Sequence, residues 1–349
     1  MKQLGYYFFK YWISISLFFY FKRIKVIGLD NVPKNKPILF LSNHQNALLD
    51  VLLIATRRGL KPWYLTRSDI FKSKFFSPLF YFLQMLPIYR MRDGKDSLVK
   101  NQVIFNRCRE LLNDNGMLLI FPEANHNLQR RVRPLSKGFT RILFKALEEN
   151  PDLDIQLVPI GQNYSKAENF PDCTALHFGK AISIQDLLFD DKNKSVVNIK
   201  STVAKQLKRL TTHIEDEEAY HTIEKRLENH NVDFLNPTIA NKLIRKGHKN
   251  STEKIKYNYN IIRWIFIVIN LPVIFVWRNI IKPKVPELEF MSTYRFAFSI
   301  LTYPIFYTLL ALTFIYLYNI KTACLIVLTH AVINIVFVKI GFTSSAQRK

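Results

Sequence analysis

His44 and Asp50 are the two side chains whose chemistry most narrows the reading of this 349-residue chain. An imidazole held by a carboxylate can take a proton from a hydroxyl, because the carboxylate fixes the ring's tautomer and stabilises the imidazolium that forms. The histidine follows the apolar run Ile38-Leu39-Phe40-Leu41, and the aspartate comes six residues after it. Six residues of helix turn through about 600°, which leaves two side chains on different faces. The pair can meet only if His44 precedes the helix and the chain folds back toward Asp50. Taken without its surroundings, a His and an Asp at this separation are more often a strand-end turn with a capping role.

The elements that would hold such a pair alternate along the first half of the chain. Strand patterns cover Lys25–Gly28, Ile38–Ser42, Trp63–Thr66, Met117–Phe121, Ile155–Ile160 and Ala175–Phe178, and helical patterns cover Asn46–Arg58, Lys95–Asn113 and Lys137–Glu149. This alternation predicts an α/β domain whose mixed, mostly parallel sheet is flanked by helices. A strand end leading into a helix is a frequent place for catalytic groups in such folds, and His44 sits there. Gly116 before one strand and Gly161 after another read as turn residues.

Four short motifs extend the pattern. Pro37-Ile38-Leu39-Phe40-Leu41-Ser42-Asn43-His44-Gln45 resembles the first motif of the glycerolipid acyltransferase family, which includes lysophosphatidate acyltransferases. Val26-Ile27-Gly28-Leu29-Asp30-Asn31-Val32-Pro33 is similar to that family's lead-in strand and turn. Pro87-Ile88-Tyr89-Arg90 resembles its second motif, Phe121-Pro122-Glu123 its third and Val158-Pro159-Ile160 its fourth. Each is weak alone, but their order on alternating strands and helices, from about Lys25 to Ile184, makes the resemblance specific. It implies that His44 is the general base and Asp50 its orienting carboxylate. The nucleophile is then the acceptor's own hydroxyl, attacking the thioester of acyl-CoA or acyl-carrier protein, with no metal, cofactor or covalent acyl-enzyme. Arg90 would hold an acceptor phosphate, which suits a guanidinium. Glu123 would shape the acceptor site. Asn43, Phe121 and Pro122 would support the motifs, and Val158, Pro159 and Ile160 would wall the acyl or acceptor pocket.

Two departures bear on the acceptor. Five residues lie between His44 and Asp50 where the family's first motif has four, an excess that the loop before the helix can absorb. A eukaryotic-type glycerol-3-phosphate acyltransferase branch is similar in this respect. After the third motif's Glu the family continues Gly-Thr-Arg, whereas Ala124-Asn125-His126 follows here. Arg130, Arg131, Arg133 and Lys137 could supply the missing charge, or could form a basic rim facing a membrane. The expected acceptor is lysophosphatidate or glycerol 3-phosphate. The alternatives are a lyso-aminolipid, which needs no phosphate site, and a catalytically silent membrane scaffold, against which the joint presence of His44 and Asp50 argues.

The formal charge of +23 predicts an anionic partner. Long uncharged runs point to a bilayer and away from nucleic acid, for which no binding motif is present. Phe296 to Ile320 is uncharged for 25 residues and Thr322 to Val338 for 17, with only Lys321 between, so the two predict a transmembrane hairpin. Trp264 to Trp277 is a third run of 14, interrupted by Pro272, and is expected to re-enter or lie in the interface. If only the hairpin crosses, Lys282, Lys284, Arg295, Lys339, Arg348 and Lys349 share a side with the basic domain, which places that domain on the cytoplasmic face. Tyr11 to Phe21 is aromatic, too short to span and followed by Lys22, Arg23 and Lys25. It predicts a helix lying in the interface, the alternative being one packed on the domain. The expected organisation is an interfacial segment over 1–24, the catalytic domain over 25–185, a polar helical linker over 186–257 and a membrane module over 258–349. In the linker His213, His221, His230 and His248 read as solvated surface. Cys108, Cys173 and Cys324 are widely spaced and read as small apolar side chains.

Overall fold

The computed structural model describes residues 2–73, 77–89, 97–246, 260–341 and 343. Among them is a sheet of eight strands: β1 (Arg23–Ile27), β2 (Ile38–Ser42), β3 (Trp63–Arg67), β4 (Met85–Ile88), β5 (Met117–Ile120), β6 (Gln156–Tyr164), β7 (Cys173–Phe178) and β8 (Ile182–Ser183). Its order is β1-β7-β6-β2-β5-β3-β4, with β8 pairing β6. The strands from β6 through β2, β5 and β3 to β4 run parallel, β7 and β8 run antiparallel to β6, and β1 runs parallel to β7. The mixed, mostly parallel sheet expected from the alternation is present. The strand β4 has no match among the expected strands. It is four residues long and contains Pro87, which lacks an N–H for a ladder and is tolerated because β4 lies at an edge.

Helices lie on both faces: α1 (Lys2–Tyr20), α2 (Ala47–Ala55), α3 (Ser77–Phe82), α4 (Ser97–Asn113), α5 (Gly138–Leu147), α6 (Lys192–Leu210), α7 (Tyr220–Asn229) and α8 (Pro237–Lys246). A strand buried on both faces needs a continuous apolar run, and β2 is buried at all five positions. Leu39 and Leu41 join a core with Cys108 and Leu112 of α4, Phe139 and Leu143 of α5, and Ile199, Val203 and Leu207 of α6. Ile38 and Phe40 point the other way, to Leu17 of α1, Leu49 and Leu53 of α2 and Phe296 of the membrane module. The segment after residue 185 therefore differs from the solvated linker that was expected. Its polar residues cover the outside of α6, while every fourth residue (Ile199, Val203, Leu207) is fully buried against the sheet. Gly161 lies inside β6 and is not the expected turn residue, and a Cβ there would collide with the Leu210 carbonyl at the end of α6. His213 is likewise half-buried, its Nδ1 accepting the Val132 N–H at 3.0 Å. His221 is exposed and His248 lies outside the described residues.

The N-terminal helix α1 has two characters. Tyr6, Leu17 and Tyr20 are buried on the domain, whereas Leu4, Phe8, Tyr11, Trp12, Ile15, Phe18 and Phe19 are exposed. Its Lys10, which divides the apolar run, is drawn inward and donates to the Leu60 carbonyl. The C-terminal module comprises α9 (Asn260–Ile269), α10 (Leu271–Val276), α11 (Met291–Leu317) and α12 (Ile320–Ile340). Two of its helical stretches, Leu288–Leu317 and Ile320–Ile340, are long and apolar enough to cross a membrane. The pair Ile261–Ile269 and Leu271–Lys284 is bent by 91°. The break falls at Asn270 because Pro272 stands in the first turn of α10, where a missing N–H starts a helix well and continues one badly. The Asn270 side chain is fully buried and exchanges hydrogen bonds with Asn334 of α12 at 2.7 and 3.0 Å, and Tyr303 of α11 donates to it at 3.2 Å. Cys324 is exposed on α12, unlike the buried Cys108.

Candidate active site

Parallel strands present their C-terminal ends on one edge, and the site lies there. Four residues, Asn43 to Asn46, carry the chain from β2 into α2, so His44 precedes the helix as its chemistry requires. The loop folds back, and His44 Nδ1 lies 2.8 Å from Asp50 Oδ2. That same oxygen accepts the backbone N–H groups of Gln45 and Asn46, both at 2.7 Å. Asp50 Oδ1 accepts the Tyr164 hydroxyl at 2.5 Å. Four donors thus surround a carboxylate with no solvent exposure. With Nδ1 committed to Asp50, His44 has Nε2 left for a substrate proton. The Phe121 ring stacks on His44 at 4.1 Å between centroids and 20° between planes.

His126, three residues past Glu123, stands edge-on to His44 at 5.5 Å. Two residues of the segment leading into α11 reach it: Phe290 packs its ring at 4.6 Å, and Glu287 Oε2 lies 3.8 Å from His126 Nε2. Burial lowers the pKa of His126, with His44 acting in the same direction and Glu289 and Glu287 opposing. The membrane module therefore contributes to the wall of the site.

The other residues expected to bind substrate are distributed differently. Arg133 places Nε and Nη2 on Glu123 Oε2, both at 2.8 Å, and also donates to the Asn125 carbonyl. Arg130 turns into the protein, donating to the carbonyls of Tyr164 and Ser165 at 2.6 Å each and lying 3.8 Å from the Phe234 ring. Arg131 pairs with Glu217, and Lys137 is exposed before α5. The structure thus does not gather these four cations into an anion pocket, because Glu123, Glu217 and backbone carbonyls engage the three arginines. Arg90 lies outside the described residues. Asn43 makes a two-way bridge to the Gln162 backbone at 3.0 and 2.7 Å, and the Pro122 carbonyl accepts the Ser136 N–H at 2.8 Å. Val158, Pro159 and Ile160 are buried within β6 below the edge, opposite Phe40, Leu41 and Ser42, so they are core rather than pocket wall.

Burial raises the Glu123 pKa to about 7, with Arg133 pulling it down. Because its folded pKa exceeds the ordinary carboxylate value, Glu123 contributes most to stability at acid pH, and that contribution is lost as pH rises through about 7. Arg133→Met removes the opposing cation, so ionising Glu123 becomes harder still. The variant should be destabilised by about 3 kcal/mol at alkaline pH, as for a buried carboxylate deprived of its partner. Thermal melts at pH 6 and pH 8 check this. The gap to the unaltered protein should widen with pH, and a gap independent of pH would contradict the assignment.

Sequence reasoning missed Tyr164, and treated His126 only as a departure from a motif. The strand β6 pairs with β2 as far as Ser42 opposite Ile160, then runs four residues beyond it, carrying Tyr164 over the loop that holds Asp50. A partner 114 positions away leaves no local pattern. Its one sequence signal was the strand's length, which was read as ending at Ile160.

A family profile described as Acyltransferase matches residues 23–162. The 1-acyl-sn-glycerol-3-phosphate acyltransferase LPAT1, chloroplastic, of Arabidopsis thaliana is 29% identical over 132 residues, covering 37% of this chain and 34% of that protein. Glycerol-3-phosphate O-acyltransferase 1 of Saccharomyces cerevisiae is 24% identical over 132 residues, covering 36% of this chain and 17% of that protein. The chain thus spans about a third or less of the length of these relatives. The crystal structure of the 1-acyl-sn-glycerophosphate (LPA) acyltransferase, PlsC, from Thermotoga maritima is similar at 15% identity with a TM-score of 0.38, covering 53% of this chain and 72% of that one.

Proposed function

We propose that this chain, whose residues 23–162 match the Acyltransferase family profile, moves a fatty acyl group from an acyl thioester to a hydroxyl of lysophosphatidate or glycerol 3-phosphate at a membrane. The observation that carries the reading is His44 bonded through Nδ1 to a fully buried Asp50 at the sheet's C-terminal edge. His44 Nε2 removes the acceptor's hydroxyl proton while the oxygen attacks the thioester carbonyl. Asp50 stabilises the imidazolium that results. As the tetrahedral intermediate collapses, the C–O bond remains, the C–S bond breaks and His44 returns the proton to the departing thiolate. Glu123, held by Arg133, borders the acceptor. Arg90, outside the described residues, is the candidate for its phosphate. The donor is acyl-CoA or acyl-carrier protein, and the chemistry calls for no cofactor.

The two helices able to cross and the exposed aromatic side of α1 support attachment to a bilayer. The start of α11 bonds to the catalytic domain, through Ser292 to the Ala167 carbonyl at 2.5 Å, and the end of α12 bonds to the junction of α1 and β1, through Lys339 to the Phe21 carbonyl at 2.9 Å. That supports a hairpin with both ends on the domain's side, and the positive charge of that side supports a cytoplasmic placement. A specific observation favours a second acceptor, a lyso-aminolipid: the position after the third motif holds His126 beside Glu287, and the nearby arginines are engaged elsewhere. Thioester consumption by the full chain in vesicles, with lysophosphatidate, glycerol 3-phosphate, a lyso-aminolipid or no acceptor, tests both. Turnover with a phosphate acceptor is expected, turnover only with the aminolipid would select the second reading, and none with any acceptor would refute both.

A further inference from the structure

We propose that Tyr164 is a positioning residue that sets the basicity of His44 through Asp50, an assignment that rests on the proposed reaction. Its ring is fully buried and its hydroxyl is aimed at Asp50 Oδ1, 2.5 Å away, on the side of the carboxylate opposite His44. Asp50 is then shared between two side chains, one on the loop after β2 and the other on the overhanging end of β6. Charge drawn toward the phenol is charge withdrawn from the bond to His44 Nδ1, so the donor lowers the affinity of His44 for its proton. Burial and the neighbouring Asp50 raise the Tyr164 pKa well above the ordinary phenol range, which keeps the hydroxyl a donor.

Arg130 locates this tyrosine. Its Nη1 and Nη2 clamp the carbonyls of Tyr164 and Ser165, and its guanidinium lies on Phe234, with the Tyr220 hydroxyl accepting the Arg130 backbone N–H at 2.8 Å. The helical segment after residue 185 is thereby connected to the dyad through Arg130 and Tyr164. Two arginines in one short stretch thus hold two parts of the site from behind, Arg133 through Glu123 and Arg130 through Tyr164.

The test is the pH dependence of kcat/KM for the full chain in vesicles carrying lysophosphatidate, in three forms: unaltered, Tyr164→Phe, and with 3-fluorotyrosine at position 164. Tyr164→Phe removes the donor, leaves Asp50 a stronger partner for His44, and should move the acid limb up by about half a pH unit. The fluorinated phenol is a stronger donor and should move the limb down. His126 and Glu287 lie beside His44, Glu123 near Asp50 and Asp172 near Tyr164, with Glu123 and Asp172 raised to about 7. All four are shared by the three forms, so the difference between them belongs to position 164. A limb that stays in place, whatever happens to kcat, or that moves in the same direction in both variants, overturns the assignment. If Tyr164→Phe does not fold, the fluorinated form decides alone, an unmoved limb again counting against it. Full activity in His44→Ala would overturn the reaction first and this role with it.

Discussion

His44→Ala should lower kcat by about 10² to 10⁴, the usual loss when a positioned base is removed. The fold should survive. Asp50 keeps three of its four donors, the N–H groups of Gln45 and Asn46 and the Tyr164 hydroxyl, so the carboxylate is not orphaned when the imidazole goes. What disappears is the stacked contact with Phe121 and the proposed base. Acyl transfer and a thermal melt measured on one preparation check the expectation. A rate within tenfold of the unaltered protein, with the melt unchanged, would remove His44 from the mechanism.

The second large effect is expected from Asp50→Asn, on the order of 10³ or more in kcat. The amide can be accommodated: its oxygen faces His44 Nδ1 and the two backbone N–H groups, and its NH₂ turns toward Tyr164, which then accepts. Geometry and tautomer therefore persist while the negative charge that stabilises the imidazolium is lost. This separates orientation from electrostatics, because a merely orienting Asp50 predicts almost no change. Near-normal kcat in a folded Asp50→Asn protein would leave Asp50 a structural cap at the start of α2. Comparing its kcat with that of His44→Ala measures how much of the base depends on the carboxylate.

The half of the site that is local along the chain was legible. Ile38 to Leu41 is apolar at every position because β2 is buried on both faces, and the His44–Asp50 spacing left a folded-back loop as the single way for the pair to meet. The half that depends on tertiary reach was hidden. Tyr164 comes to Asp50 because β6 overruns its neighbour, a property of strand register. Arg130 and Arg133 are three positions apart and look alike in sequence, yet one faces the carbonyls at the end of β6 and the other faces Glu123. Charge left phosphate ligands and a membrane-facing rim both open, whereas in the structure both guanidiniums find partners within the protein. In α6 the helical spacing of Val203 and Leu207 is visible in the sequence, but not that this stripe packs on the sheet, because lysines and asparagines surround it.

The ties between the membrane module and the catalytic domain have a kinetic consequence. Lys22 holds the Ile340 carbonyl at 2.7 Å, Lys339 holds that of Phe21 at 2.9 Å, and Arg295 holds that of Glu168 at 3.1 Å, while Phe290 and Glu287 reach His126 beside His44. On the proposed function, with the hairpin seated in a bilayer and a lysolipid as acceptor, these bonds would hold His44 at one height over the lipid headgroups. A lysolipid that shares the leaflet then needs no desorption to arrive. Its search is lateral, within a plane, and its encounters with His44 depend on how many acceptor molecules occupy each unit of area. On this geometry, packing density in the leaflet takes the place that concentration in solution holds for a soluble enzyme.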